Sequence, residues 1–370
     1  MKQYSKRKAF LALCLALLLS LSLFGCGSDE KYPPVKSEAP DSTVLAKWGD
    51  VEIKYELLRF FFLNRVSDFD GGDRDRWYAE EGDALWEEAA EAVLYQICDL
   101  YAAFEVAREY GIDPNNEEFD EKVDSFITAD VEGGWVNGEW IEGYGSHEEY
   151  LAAIEREYHA TDAVMRLVYR NTIILNALYD YVTNNYASGE ITVTDEMLNQ
   201  LARSEDCVHY NQVFISAEGR GMEWARTRAE SIRNDMLAAG SYEELIRVGF
   251  AKSSDIPTQN TLKYGLWASA YTIDRALSPI YYDTLFSLHE GEISPVIETE
   301  DGCYIFYGME KPWDISSEEA YRADLIPLYL THMYYLRIHE VATAMQQALT
   351  FTEEYARVRG ATFLDDKRDS

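Results

Sequence analysis

One run of helical periodicity constrains this chain more than any other feature. Between Ala84 and Tyr110, residues Leu85, Ala89, Ala92, Val93, Ile97, Leu100 and Phe104 recur mostly three or four apart, so they share one side of a helix. The pattern stops at Gly111 with Pro114 beyond, residues that commonly end helices. A long one-sided helix is stable only when other elements cover its apolar stripe. The neighbouring segments supply them, because Tyr55 to Asn64, Glu117 to Phe126, Glu148 to His159 and Thr161 to Tyr186 carry the same period. Thr161-Asp162 is a suitable cap for the last of these. A short hairpin turning at Gly49-Asp50 precedes them, from Val44 to Ile53. Two Gly- and Trp-containing insertions interrupt the series, Asp68 to Trp77 and Gly133 to Trp140, and the second holds the hairpin dipeptide Asn137-Gly138.

After a break at Ala187 to Ile191 and a helix start at Thr194-Asp195-Glu196, the pattern changes. Val208 to Ile215 reads as a strand, Glu223 to Ala239 and Tyr242 to Gly249 as helices. An irregular stretch leads to Asp283 to Leu288, a turn at Gly291, and strands through Val296-Ile297 and Cys303 to Tyr307. This β-α-α-β order describes a compact α+β module. A long aromatic-rich helix from Ser316 to Ala356 follows, with Tyr329, Tyr334 and Tyr335 clustered in it. The predicted fold class is therefore α+β and mainly helical, and no internal repeat is visible.

A chain of 370 residues with 47% hydrophobic and 27% charged residues is long enough for two cores and is not disordered in composition. Its formal charge of −33 argues against nucleic acid as a partner, because phosphate binding depends on clustered Lys and Arg. Cys98, Cys207 and Cys303 are too few and too widely spaced for a disulfide framework, and Cys98 falls on an apolar helical face. The histidines form no HExxH motif, and His332 and His339 read as a bland helical face. No metal and no cofactor are expected.

At the N-terminus, Lys2, Lys6, Arg7 and Lys8 precede an uncharged run from Ala9 to Phe24, shorter than the about 20 residues of a comfortable membrane span. The run closes on Leu23-Phe24-Gly25-Cys26, which resembles the lipobox of bacterial lipoproteins. The resemblance implies a signal peptide over 1–25, cleavage before Cys26, lipidation of its thiol, and residence at the outer face of the cell membrane. Loss of the leader would take the net charge from −33 to −37, which disfavours an electrostatic grip on anionic headgroups; two acyl chains anchor without one. Residues 26–43, with Pro33, Pro34 and Pro40, read as a flexible tether.

The module over 206–312 resembles the parvulin family of peptidyl-prolyl isomerases. Gly240-Ser241-Tyr242-Glu243-Glu244-Leu245 is similar to the family's G-x-F-x-x-L helix start, and Ser253-Ser254-Asp255 follows, with Gly265 where the G-D-L-G loop ends. Phe286-Ser287-Leu288-His289-Glu290-Gly291-Glu292-Ile293-Ser294-Pro295-Val296 is similar to F-x-L-x-x-G-E-x-S-x-P-V, one residue short. Thr299 to Ile305 matches the T-x-x-G-x-H-I ending. By this resemblance Asp255 stands at the family's Cys/Asp position, Gln212 at the first histidine and Tyr304 at the second. Leu277, Tyr281 and Phe286 stand at proline-pocket positions. His209 would replace Gln212 only by a three-residue slip, which reverses every side chain's face, so Gln212 is preferred.

Gln212 and Tyr304 can hydrogen-bond, but neither titrates near neutral pH. Two readings follow: an isomerase acting through neutral hydrogen bonds, or a binding module that has lost catalysis. Core packing alone would also account for Leu277, Tyr281 or Phe286. The flanks, 44–205 and 313–370, resemble the PrsA and SurA class of extracytoplasmic foldases, whose N- and C-terminal segments pack together as a chaperone domain. That resemblance implies unfolded or newly secreted polypeptides as partners. The alternative is a non-catalytic interaction or assembly lipoprotein; a solute-binding lipoprotein is disfavoured because its α/β two-lobe pattern is missing.

Overall fold

A computed structural model describes residues 41–365 apart from 137–138, 272, 274–278 and 300. In chain order, β1 (Val44–Trp48) and β2 (Val51–Lys54) lead into α1 (Tyr55–Asp70), a 3₁₀ turn at Arg74–Tyr78, α2 (Gly82–Glu109) and α3 (Glu117–Glu132). β3 (Gly134–Val136), β4 (Glu139–Ile141), α4 (His147–Tyr158) and α5 (Asp162–Ser188) follow, then α6 (Asp195–Arg203) and β5 (Cys207–Ser216). The next elements are α7 (Met222–Leu237), α8 (Tyr242–Val248), α9 (Gln259–Tyr264), β6 (Leu266–Ser269) and α10 (Pro279–Phe286). β7 (Ile297–Glu298), β8 (Gly302–Gly308), α11 (Glu319–Gln347), β9 (Thr350–Phe351) and α12 (Gly360–Asp365) complete the chain. The class is α+β and mainly helical, with antiparallel sheets. Among the described residues no helix is long and apolar enough to cross a membrane.

The chain divides into two compact units. The first takes the residues up to Tyr181 together with those from Arg337 onward, and the second is Val182–Leu336.

In the first unit, β2, β1 and β9 form a sheet in that order, β1 pairing antiparallel with each neighbour. The turn between β1 and β2 uses Gly49 at φ +54°, as its Gly-Asp dipeptide suggests. β9 joins the sheet through Thr352, whose hydroxyl donates to the Val44 carbonyl at 2.9 Å. Sequence periodicity extends the last helix to Ala356, but it ends at Gln347 because the β-favouring Thr350-Phe351-Thr352 pairs with β1 instead. The stripe on α2 is buried as its period requires, with Ala89, Val93, Ile97 and Cys98 fully covered.

The first insertion serves this core. Trp77 is buried, its indole N–H donates to Asp70 at 2.7 Å, and its ring packs edge-on to Phe62 at 5.0 Å. Phe363 of α12 also reaches Phe62 and Trp86, at 5.4 and 5.7 Å, so residues from both chain ends build one cluster. The two terminal nitrogens of the buried Arg59 donate to Glu155 at 2.8 Å and to the His159 carbonyl at 3.0 Å. The second insertion is the β3–β4 hairpin, paired from Gly134↔Ile141 to Val136↔Glu139; its Asn137-Gly138 turn lies outside the described residues.

The second unit holds a four-stranded antiparallel sheet in the order β6-β5-β8-β7. Odd-numbered β5 residues Val213 and Ile215 join Cys303 and Ile305 in a core with Ala225, Ala229 and Ile232 of α7. Even-numbered Val208 and Tyr210 join Ala268, Leu285 and Phe306 on the other face. The stretch the sequence leaves irregular contains α9, capped by Thr258, and the edge strand β6. Neither is long enough to express a period. In the aromatic cluster of α11, Tyr334 is buried and packs on Tyr335 at 4.6 Å.

Candidate functional site

Strand alternation sorts the side chains of β5 and decides which can meet a ligand. Gln212 and Phe214 follow Tyr210 on the even face, and the register Gln212↔Phe306, Phe214↔Tyr304 sets Tyr304 and Phe306 of β8 on the same side. Phe214 and Tyr304 lie 4.6 Å apart by ring centroid. α10 brings Tyr281 onto this face, nearly perpendicular to Tyr304 at 5.1 Å and to Phe306 at 4.8 Å. The Tyr281 hydroxyl donates to Gln212 Oε1 over a long 3.4 Å and also bonds the Tyr210 hydroxyl. Gln212, Tyr281 and Tyr304 thus converge, each only partly buried.

The other candidates lie around this group or beyond it. β6 covers β5 only as far as Tyr210, and the strand edge beyond is occupied by Ser253 and Ser254. Phe214 N–H donates to Ser253 Oγ at 2.9 Å, Ser254 N–H donates to the Phe214 carbonyl at 2.6 Å, and Ser216 N–H donates to Ser254 Oγ at 3.0 Å. The next residue, Asp255, is exposed at this edge, and no hydrogen bond joins it to Gln212 or Tyr304 among the described residues. Its charge still contributes to raising the Tyr304 pKa. Phe286 sits at the end of α10, stacked on Tyr282 at 4.5 Å. Leu277 lies outside the described residues, as does Cys26. Phe214, partly exposed on the same face, escapes the motif comparison although parity with Gln212 points to it, while Tyr210 and Phe306 lie buried beneath the face.

His209 belongs to the opposite face of β5. It is buried, stacked on Trp267 at 4.1 Å, with Nδ1 2.6 Å from the Glu310 carbonyl and Nε2 2.7 Å from that of Tyr264. Burial pulls its pKa below the ordinary histidine value. Gly265 lets it sit there: at φ +72°, a Cβ would come within 2.5 Å of both His209 Nε2 and Met309 Sδ. The thiols are equally removed from the even face. Burial pushes Cys207 up to about 12, and Cys303 faces the α7 core beside Met222.

These environments fix the available chemistry. Burial pushes the hydroxyls of Tyr304 and Tyr210 up to about 12, and that of Tyr281 upward as well. All three remain protonated at neutral pH. The face offers neutral hydrogen-bonding groups beside aromatic rings, and among the described residues no thiolate, imidazole or carboxylate is hydrogen-bonded to Gln212, Tyr281 or Tyr304. Among the described residues no three His, Cys, Asp or Glu side chains gather closely enough to hold a metal ion.

A mainly helical α+β chain whose second unit carries an aromatic, hydroxyl-bearing sheet face is the class of protein these observations define. No family model matches it, and no curated protein matches it significantly. Among solved structures it is similar to PrsA from Bacillus subtilis at 14% identity, over 82% of this chain and 93% of that one, with a TM-score of 0.26. It is similar to the foldase protein PrsA from Streptococcus pneumoniae str. Canada MDR_19A at 13% identity, over 86% and 95% of the two chains, with a TM-score of 0.29. The peptidylprolyl isomerase PrsA from Bacillus anthracis is matched at 11% identity over 67% and 96%, with a TM-score of 0.24.

Proposed function

We propose that this protein is a membrane-tethered, extracytoplasmic chaperone of the foldase type, whose second unit receives proline-containing segments of unfolded chains on the even face of β5 and β8. The observation that carries this reading is the convergence of the partly exposed Gln212, Tyr281 and Tyr304 beside Phe214, over a floor made by the buried Phe306. Aromatic walls suit a proline ring, and a client amide turning out of plane gains hydrogen bonds from neutral donors. Uncatalysed prolyl rotation faces about 18–20 kcal/mol from lost amide resonance. Groups that bind the twisted amide better than the planar one lower that barrier without covalent chemistry. Two neutral hydrogen bonds strengthened by about 1 kcal/mol each would give about a thirtyfold acceleration. Asp255 lies exposed at the rim. Attachment through lipid on Cys26 would hold the fold where secreted chains emerge, and no phosphate-binding motif suggests a need for ATP.

A second reading, a binding module that does not catalyse, is favoured by Gln212 and Tyr304 standing where the resemblance places histidines, since neither titrates near neutral pH. Binding of a labelled unfolded peptide, compared with its Pro→Ala counterpart, tests what the two readings share. Tighter binding of the proline peptide, lost in Tyr281→Ala, supports them. Equal affinity for both peptides contradicts them.

A further inference from the structure

We propose that a groove in the first unit, between α2 and the chain following α11, binds extended polypeptide segments in which Lys or Arg alternates with apolar residues. This goes beyond the sheet-face reading and does not depend on it. The groove has a volume of 460 Å³. Its apolar surface comes mainly from Phe351 and Tyr355, whose rings lie 4.4 Å apart, over a floor made by the buried Trp86 and Leu94 of α2. Phe351 is 46% exposed, a large aromatic left facing solvent on the short edge strand β9.

The charged side of the groove fixes the chemistry of the occupant. Glu87 and Glu91 line it, both exposed, and neither carboxylate has a hydrogen bond or ion pair among the described residues. Asp83, one turn earlier, is instead paired with Arg359 at 3.0 Å, which closes that end. Four residues of helix advance about 6 Å. Two residues of an extended chain advance about 6.6–6.8 Å. Basic side chains at alternate positions of a strand therefore match Glu87 and Glu91. The intervening apolar side chains, on the opposite side of the strand, or the stems of the basic residues can then cover Phe351 and Tyr355. The edge strand β9 favours an extended occupant over a helical one, and an acidic one is repelled.

Fluorescence anisotropy with the purified protein tests this, using a labelled peptide of alternating Lys and Val. The comparisons are one of alternating Glu and Val, and one with the same Lys and Val grouped in blocks. We expect the alternating Lys peptide to bind most tightly, and Glu87→Gln with Glu91→Gln to weaken it by about tenfold, the loss of two exposed charge contacts. Removing the same charge outside the groove, by Glu80→Gln with Glu88→Gln, should leave affinity unchanged. All four residues are exposed, so circular dichroism should report an intact fold in both variants. Equal weakening by both pairs would reduce the effect to net charge and overturn the proposal. So would unchanged binding in the groove variant, or equal affinity for the block peptide.

Discussion

Asp130 gives the sharpest physical prediction outside the site. It lies near the end of α3, partly buried, and its carboxylate accepts a hydrogen bond from the buried Tyr169 hydroxyl. Burial outweighs that bond and raises its pKa from 3.8 to about 7. Tyr144, Tyr150 and Tyr158 feel the same carboxylate. Because the folded pKa is raised, the acid form is favoured in the native state. Stability is fully present below about pH 4, is lost as pH rises, and levels off above about pH 7. A shift of about three units corresponds to about 4 kcal/mol over the full range. Between about pH 5 and pH 8 the change is about 2.5 kcal/mol, or nearer 1 kcal/mol once solvent access is allowed for. Asp130→Asn keeps an acceptor for Tyr169 and removes the titration. Urea unfolding of both proteins across that range should show the wild type losing stability relative to the variant as pH rises. Any fixed offset from the new amide cancels in this comparison. Parallel pH profiles would refute the reasoning.

Three further outcomes follow from particular contacts. Gly265→Ala should cost about 2–4 kcal/mol, because it adds the strain of a positive-φ conformation that glycine alone adopts readily to a clash with His209, and thermal unfolding reads it. Phe363→Ala should cost about 3–5 kcal/mol by opening the cluster with Phe62 and Trp86, measured by chemical denaturation followed through tryptophan fluorescence. Cys26→Ser should release the protein from the membrane fraction and abolish incorporation of labelled fatty acid; retention of both would remove the lipid anchor from the account.

What could be read from the sequence, and what could not, follows from the range of each interaction. The stripe from Leu85 to Phe104 and the Gly49 turn are local patterns, and the fold contains both as written. Strand parity alone puts Gln212 and Tyr304 on one face and His209 on the other, since a three-residue offset in a strand reverses sides. Trp77 carried no such signal. Its burial depends on Phe62 nearby and on Phe363 near the far end of the chain. β6 and β9 were illegible because strands of four and two residues have no measurable period, and β9 exists only because β1 offers an edge. Phe214 could have been singled out as a wall of the site, and Phe306 as its buried floor, by counting alternate positions from Gln212 and Tyr304, but motif comparison looks for polar identities and passes over them.

On the proposed reading, the Gln212–Tyr281–Tyr304 face holds and turns prolyl bonds. Exchange NMR on a short peptide with a single Ala-Pro bond measures it directly, since the cis and trans signals report both binding and rate. The account predicts interconversion tens of times faster with the protein present, falling about fivefold in Tyr304→Phe, the value of one neutral hydrogen bond. Peptide-induced shifts should fall on residues of β5, β8 and α10. Uncatalysed exchange together with shifts confined to other surfaces would contradict it.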